Sequence, residues 1–105
     1  MRVVVFRNRL RAGLEERFDA HAGQIYELAL TMPGFVSSKD FVAEDGERLT
    51  VIEFDSAENL EGWRVQPDHH AAQGQGRDEY YDEYSLQVCE LVRESKFKRP
   101  PVDRR

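Results

Sequence analysis

The sequence predicts an α+β fold of the ferredoxin-like, split β-α-β-β-α-β type, and three observations carry that prediction. Runs rich in β-branched and aromatic residues at 3–6 (continuing to Leu10), 35–43, 48–54 and 84–92 have strand character. Apolar residues recur at helical spacing between Leu14 and Met32, and a second helical stretch follows Ser56. The chain has 105 residues, room for one core and no second one, and no repeat or linker divides it.

Each element has its own signal. Val3-Val4-Val5-Phe6 opens the first strand, and Gly13 breaks the chain after it. Leu14, Phe18, His21 with Ala22, Ile25, Leu28, Ala29 and Met32 lie along one helical stripe, which Pro33-Gly34 stops. The second and third strands flank Glu44-Asp45-Gly46-Glu47, whose Asp-Gly pair is a hairpin signal. Ser56 is a helix N-cap, although Asn59 stands where a capping box would have Glu. The short helix after it carries Leu60 and Trp63 on one side. Pro67 restarts a further helical piece through Ala71 and Ala72 towards Tyr80 and Tyr81, weakened by Gly74 and Gly76. In the last strand Leu86, Val88 and Val92 share a face, with Cys89 and Leu91 near the other.

Strand parity then predicts an assembly. Val3 and Val5 point to one side of the sheet and Val4 and Phe6 to the other, and Val51 and Ile52 divide likewise. Right-handed crossovers place both helical stretches on one face, so the opposite face would be an exposed apolar patch. A second copy covering it, a homodimer, is the expectation. The net charge of −5 leaves no dominant basic face for nucleic acid or an anionic membrane. We read residues 1–95 as the domain and 96–105 as a solvated tail, in which five of six charges are positive. Cys89, the single cysteine, can form no disulfide within the chain and reads as an inert core residue. The apolar run at the N-terminus is too short for a signal peptide or a bilayer span, so a reducing, cytoplasmic setting is expected.

Motifs of the common catalytic families are missing. No phosphate-cradling glycine loop follows a strand, no HExxH pair suggests zinc, and no GxSxG marks a nucleophile. The candidates are polar and aromatic residues placed where an apolar pocket would form. Asn8 shares the side of Val4, Phe6 and Leu10, where its amide must satisfy local backbone or meet a ligand. Trp63, the single tryptophan, either anchors the core or offers its indole N–H to a ligand. His69 and His70 point about 100° apart on a helix, so they cannot readily share one metal. His21 lies on the apolar stripe, and of Tyr80, Tyr81 and Tyr84 at least one should face inward. Asp78, Glu79, Asp82 and Glu83 among them read as a solvated face.

Four segments together resemble the antibiotic biosynthesis monooxygenase domain, a family of dimeric α/β barrels. They are Met32-Pro33-Gly34-Phe35, Val51-Ile52-Glu53-Phe54-Asp55-Ser56, Trp63-Arg64-Val65-Gln66-Pro67-Asp68-His69 and Gln87-Val88-Cys89-Glu90, and the similarity spans about residues 2–95. The resemblance implies a pocket asparagine at Asn8 and a pocket tryptophan at Trp63. Haem-degrading members of the superfamily carry a ligating histidine about ten positions after that tryptophan, where this chain has Gln73. Cofactor-free members hold and deprotonate a phenolic substrate. The expectation is a cofactor-independent monooxygenase, without metal or cofactor, taking a small aromatic or quinol-type substrate and dioxygen. Asn8, Trp63 and His69 are its catalytic candidates, with His69 as base; His21, Phe6 and Tyr81 are its substrate-binding candidates. A haem-binding or haem-degrading monooxygenase and a non-catalytic dimeric ligand-binding protein are the alternatives.

Overall fold

The expected order of elements is the observed one in a computed structural model, which describes residues 1–102. The chain runs β1 (Arg2–Leu10), α1 (Glu15–Ala29), β2 (Phe35–Val42), β3 (Arg48–Phe54), α2 (Ala57–Arg64), α3 (Pro67–Gln75), a π-turn (Gly76–Tyr80) and β4 (Tyr81–Glu90). The strands form one antiparallel sheet in the order β2-β3-β1-β4. Among the described residues no helix is long and apolar enough to cross a membrane.

The ends of the elements follow from local chemistry. Glu15 and Glu16 favour the start of α1, where the helix dipole is positive. That helix stops at Ala29 rather than reaching Met32, because Thr31 and Met32 donate to carbonyls three residues back and tighten the last turn. Ser56 caps α2 as expected, its Oγ accepting from the Asn59 N–H at 3.1 Å. Pro67 takes the first position of α3, and the Gln66 side chain accepts from the His69 N–H. β4 starts at Tyr81, before the expected Tyr84, and stops at Glu90, before Val92. Beyond it Leu91 donates once to the Met1 carbonyl, and residues 92–102 are irregular and exposed. The expected tail residues Asp103, Arg104 and Arg105 lie outside the described residues.

The helices cover one face of the sheet. Phe54 is fully buried there with Trp63 and Ala29, and Ile25, Leu28, Met32, Phe35, Ile52 and Leu60 close around them. Removing one such side chain from water is worth about 1.5–3 kcal/mol. The opposite face carries Val3, Val5, Leu49 and Val51, half-buried, with Phe41 46% exposed beside them. Cys89 pairs with Val3 on this face and is exposed. That corrects its reading as a core residue: the run around it is apolar, but its side of an edge strand has nothing packed on it in the single chain.

Gly34 fixes the join between α1 and β2. Its φ of +77° suits glycine, and an added Cβ would strike Asp55 Oδ1 and the Asn59 side chain, which are themselves bonded at 2.8 Å. Gly46, at the hairpin tip, has φ +89° but open space around it. Gly46→Ala should therefore cost only the left-handed backbone term, about 1–2 kcal/mol. Gly34→Ala adds a collision and should cost about 1–3 kcal/mol more, read as a lower urea midpoint at unchanged m-value. Equal losses in the two variants would contradict this packing.

Candidate functional site

Asn8 lies on the helix-covered face of β1, opposite Arg48 of β3 on one side and Tyr84 of β4 on the other. Its side chain is 3% exposed, and its Oδ1 has no hydrogen-bond partner. A buried acceptor left unpaired costs about 1–3 kcal/mol, which a donor brought by a ligand would relieve.

Aromatic rings surround this end of the face. Phe6 stacks on Tyr84 with centroids 5.7 Å apart and meets Tyr81 edge-on at 5.5 Å. Phe18, reaching down from α1, makes edge contacts with Tyr80 at 5.5 Å and Tyr81 at 5.7 Å. His21, one turn further along α1, sits 6.0 Å from the Tyr80 ring, which is buried. The Arg48 guanidinium lies 5.4 Å over Phe18 and is bound by Asp19 at 2.8 Å.

A strand alternates its side chains, so Tyr81 and Tyr84, three apart, would ordinarily face opposite ways. Between Arg9 and Leu10 the β1–β4 register shifts: Glu83 pairs with Arg9 but Tyr81 pairs with Leu10, leaving Asp82 as an extra residue. That bulge turns Tyr81 back to the side of Phe6 and Tyr84. The π-turn before it brings Gly76 against the Tyr81 ring; a Cβ there would come within 2.6 Å of the ring edge. Burial pushes the Tyr81 hydroxyl up to about 12, partly offset by the charge of Arg48, so it remains a protonated donor.

Trp63 and His69 form a second group. The indole stacks on Phe54 at 6.4 Å, and the His69 imidazole lies flat on the indole at 3.9 Å. His69 Nδ1 is 2.9 Å from the Trp63 carbonyl, an acceptor, so the ring carries its proton there. Burial holds His69 below its ordinary value, more than that carbonyl bond raises it, and His70 adds a further small lowering. The neutral imidazole is the result.

Asn8 and Trp63 stand at opposite ends of the helix-covered face rather than around one cavity. Phe54, under the indole, pairs with Arg2, six residues from Asn8 and about 20 Å along the strand. Of two open clefts, one of about 300 Å³ is lined by Arg11, Ala12, Leu14, Arg17 and Glu79, and one of about 250 Å³ by Asn8 and Tyr84 with the polar Arg7, Glu47, Glu83 and Ser85; neither is lined by Trp63 or His69, nor by Phe6 or Tyr81. Of the predicted site residues, Asn8, Phe6, Tyr81 and His21 gather at one end, and Trp63 and His69 at the other. Phe18 and Arg48 were not among the residues expected at a site. Phe18 is part of the helical stripe, and Arg48 is the first residue of the third strand run. The four acidic residues between the tyrosines are exposed as expected, with Glu79 paired to Arg17 and Glu83 to Arg9.

Helices over one face of a four-stranded antiparallel sheet, above a buried amide whose oxygen has no partner, define a ferredoxin-like α+β domain. The chain belongs to the antibiotic biosynthesis monooxygenase family, whose model matches residues 1–75. It is 31% identical over 82 residues to the uncharacterized protein YqjZ of Bacillus subtilis, covering 78% of this chain and 72% of that one. Its fold is similar to that of Rv0793 from Mycobacterium tuberculosis, with a TM-score of 0.80 at 17% identity over 90% of this chain and 98% of that one. It is also similar to a point mutant of SnoaB, a cofactor-independent oxygenase from Streptomyces nogalater, with a TM-score of 0.77 at 12% identity over 89% and 94% of the two chains.

The state of His69 has a measurable consequence. Its value in the unfolded chain, near 6.5, lies above its folded value, so the unfolded chain binds the extra proton first. The stability associated with a neutral His69 is complete above about pH 6.5 and is lost as pH falls through the window below it. The protein should therefore lose more stability between about pH 7 and pH 5 than His69→Gln does, with the gap between them constant above pH 7. Parallel stability curves for the two proteins across that range would refute the buried neutral imidazole.

Proposed function

We propose that the protein is a cofactor-independent monooxygenase acting on a small aromatic or quinol-type metabolite held at Asn8. The observation that carries the reading is the buried, unpartnered Oδ1 of Asn8 on the sheet face that also carries Phe6, Tyr81 and Tyr84. Flat apolar walls with one fixed polar group suit an aromatic ring that bears a hydroxyl. The likeness to an oxygenase that is itself described as cofactor-independent supports the same reading. An ionised hydroxyarene is electron-rich enough to give an electron to dioxygen. Where a ring CH2 becomes a carbonyl, one oxygen atom enters the product, the other leaves as water, and the substrate supplies every electron. The chain's part is to bind and orient the ring, keep water away and stabilise the anion.

In this proposal Asn8 accepts a hydrogen bond from the substrate, while Phe6, Tyr81 and, behind Tyr80, His21 form the walls. The base role expected of His69 suits the geometry poorly, because its basicity is depressed and its ring lies on Trp63. We assign Trp63 and His69 instead to holding α2 and α3 on the sheet. Haem also fits these residues poorly: His69 is stacked, His70 is exposed, and Gln73 offers an amide where the resemblance calls for an imidazole. Oxygen uptake above the uncatalysed rate is expected with a panel of naphthohydroquinones and anthrones. Asn8→Leu should lower kcat/KM about 100-fold while raising the melting temperature, since it removes the unpaired buried acceptor. Binding of these compounds without uptake would favour the non-catalytic alternative, and a tight Soret-shifted hemin complex would favour the haem enzyme.

The assembly we propose is a homodimer closed through the face that carries Val3, Val5, Phe41, Leu49 and Val51, in a cytoplasmic setting where Cys89 stays reduced. A surface of this kind is what a core cut in two looks like. Light scattering at micromolar concentration should give about twice the 12.2 kDa of one chain. Val5→Lys together with Val51→Lys should halve that mass; a stable monomer in the unmodified protein would end the idea.

A further inference from the structure

We propose that Arg48 makes the Asn8 site selective for a dihydroxyarene or quinol monoanion, a ring carrying one ionised and one protonated hydroxyl, and that Asp19 modulates that selectivity. The inference rests on the reading of Asn8 as a substrate contact.

Arg48 is the β3 residue directly opposite Asn8, so both side chains leave the sheet on the same face from Cβ atoms about 5 Å apart. The Arg48 side chain is 24% exposed, and its guanidinium lies over Phe18, a ring that also touches Tyr81. A group that stays positive at every working pH and an acceptor with no donor therefore share one wall of the aromatic cluster. A neutral ring would leave the guanidinium to Asp19 and gain nothing from its charge. A dianion would have no proton left for Asn8 Oδ1. A monoanion satisfies both: its O⁻ accepts from the guanidinium, and its remaining O–H donates to Asn8. Ionisation on Arg48 also removes the need for a histidine base, which the stacked His69 is badly placed to supply.

Asp19 is the counter-ion in the absence of substrate. Its Oδ1 lies 2.8 Å from Arg48 Nη1 and its Oδ2 3.4 Å from Nη2, on an α1 side chain 59% exposed, so it can give way to solvent. Glu15 of α1 and Asp40 of β2 act on Arg48 from further off, and Tyr81 faces it from β4. A substrate anion thus competes mainly with one mobile carboxylate.

Three probes with the same ring separate the contributions at about pH 8: 4-nitrocatechol as its monoanion, 4-nitroguaiacol as an anion without the second O–H, and 4-nitroveratrole with neither. The unmodified protein should bind them in that order, the anions about tenfold more tightly than 4-nitroveratrole. Arg48→Gln should weaken both anions about tenfold and leave 4-nitroveratrole unchanged. Asp19→Asn keeps Arg48 and removes its competitor, so both anions should bind several-fold more tightly; this variant serves even if Arg48→Gln fails to fold. Asn8→Leu should erase the advantage of 4-nitrocatechol over 4-nitroguaiacol. Affinities equal within twofold across the probes, unaltered in Asp19→Asn, would overturn the role of Arg48 while leaving the site itself standing. No binding of any probe would overturn the site and this inference with it.

Discussion

Phe54 is the side chain on which the rest of the structure converges. Its ring meets Phe35 of β2 edge-on at 5.8 Å and lies under Trp63 of α2, while Ala29 brings the end of α1 into the same cluster. Trp63 then carries α3 through His69. One residue at the end of β3 thus ties together every helix and two of the strands. A close-packed junction of this kind resists changes of even a methylene, and it fixes where the far ends of α1 and α3 lie over the sheet.

Those far ends frame the other pole of the face, where the physics differs. Around Asn8 ring centroids also lie 5.5–6.0 Å apart, but a charged guanidinium is present and one polar atom is left without a partner. The dense pole supplies rigidity and the polar pole carries an unmet interaction. A fold that hosts more than one chemistry can vary the second without disturbing the first.

Much of this was legible in the sequence, because its signals were local. The 3.6-residue stripe of α1, the Asp-Gly hairpin and the Ser56 cap each depend on a few neighbouring residues; the hairpin and the cap sit where they were expected, while α1 ends at Ala29, short of the Pro33-Gly34 stop. Parity along β1 placed Asn8 inside. The relation of Asn8 to Trp63 was not legible, since it depends on which rung of the ladder Phe54 occupies, a long-range fact. Arg48 was hidden for the same reason: its meaning comes from the residue opposite it. Cys89 misled because an apolar run was taken to be buried on both sides, whereas β4 is an edge strand.

The bulge at Asp82 makes the pairing of a single rung carry information. At the hairpin tip around Gly46, adding or losing a residue changes only an exposed loop. Between Gly76 and Glu83 the bulge decides which way Tyr81 faces, because a regular ladder would pair Leu10 with Asp82, bring that carboxylate to the side of Phe6 and turn the Tyr81 ring to the opposite side of the sheet. Pairing Asp82 regularly with Leu10 is enough to exchange an aromatic wall for an acidic one, with no change in any side chain.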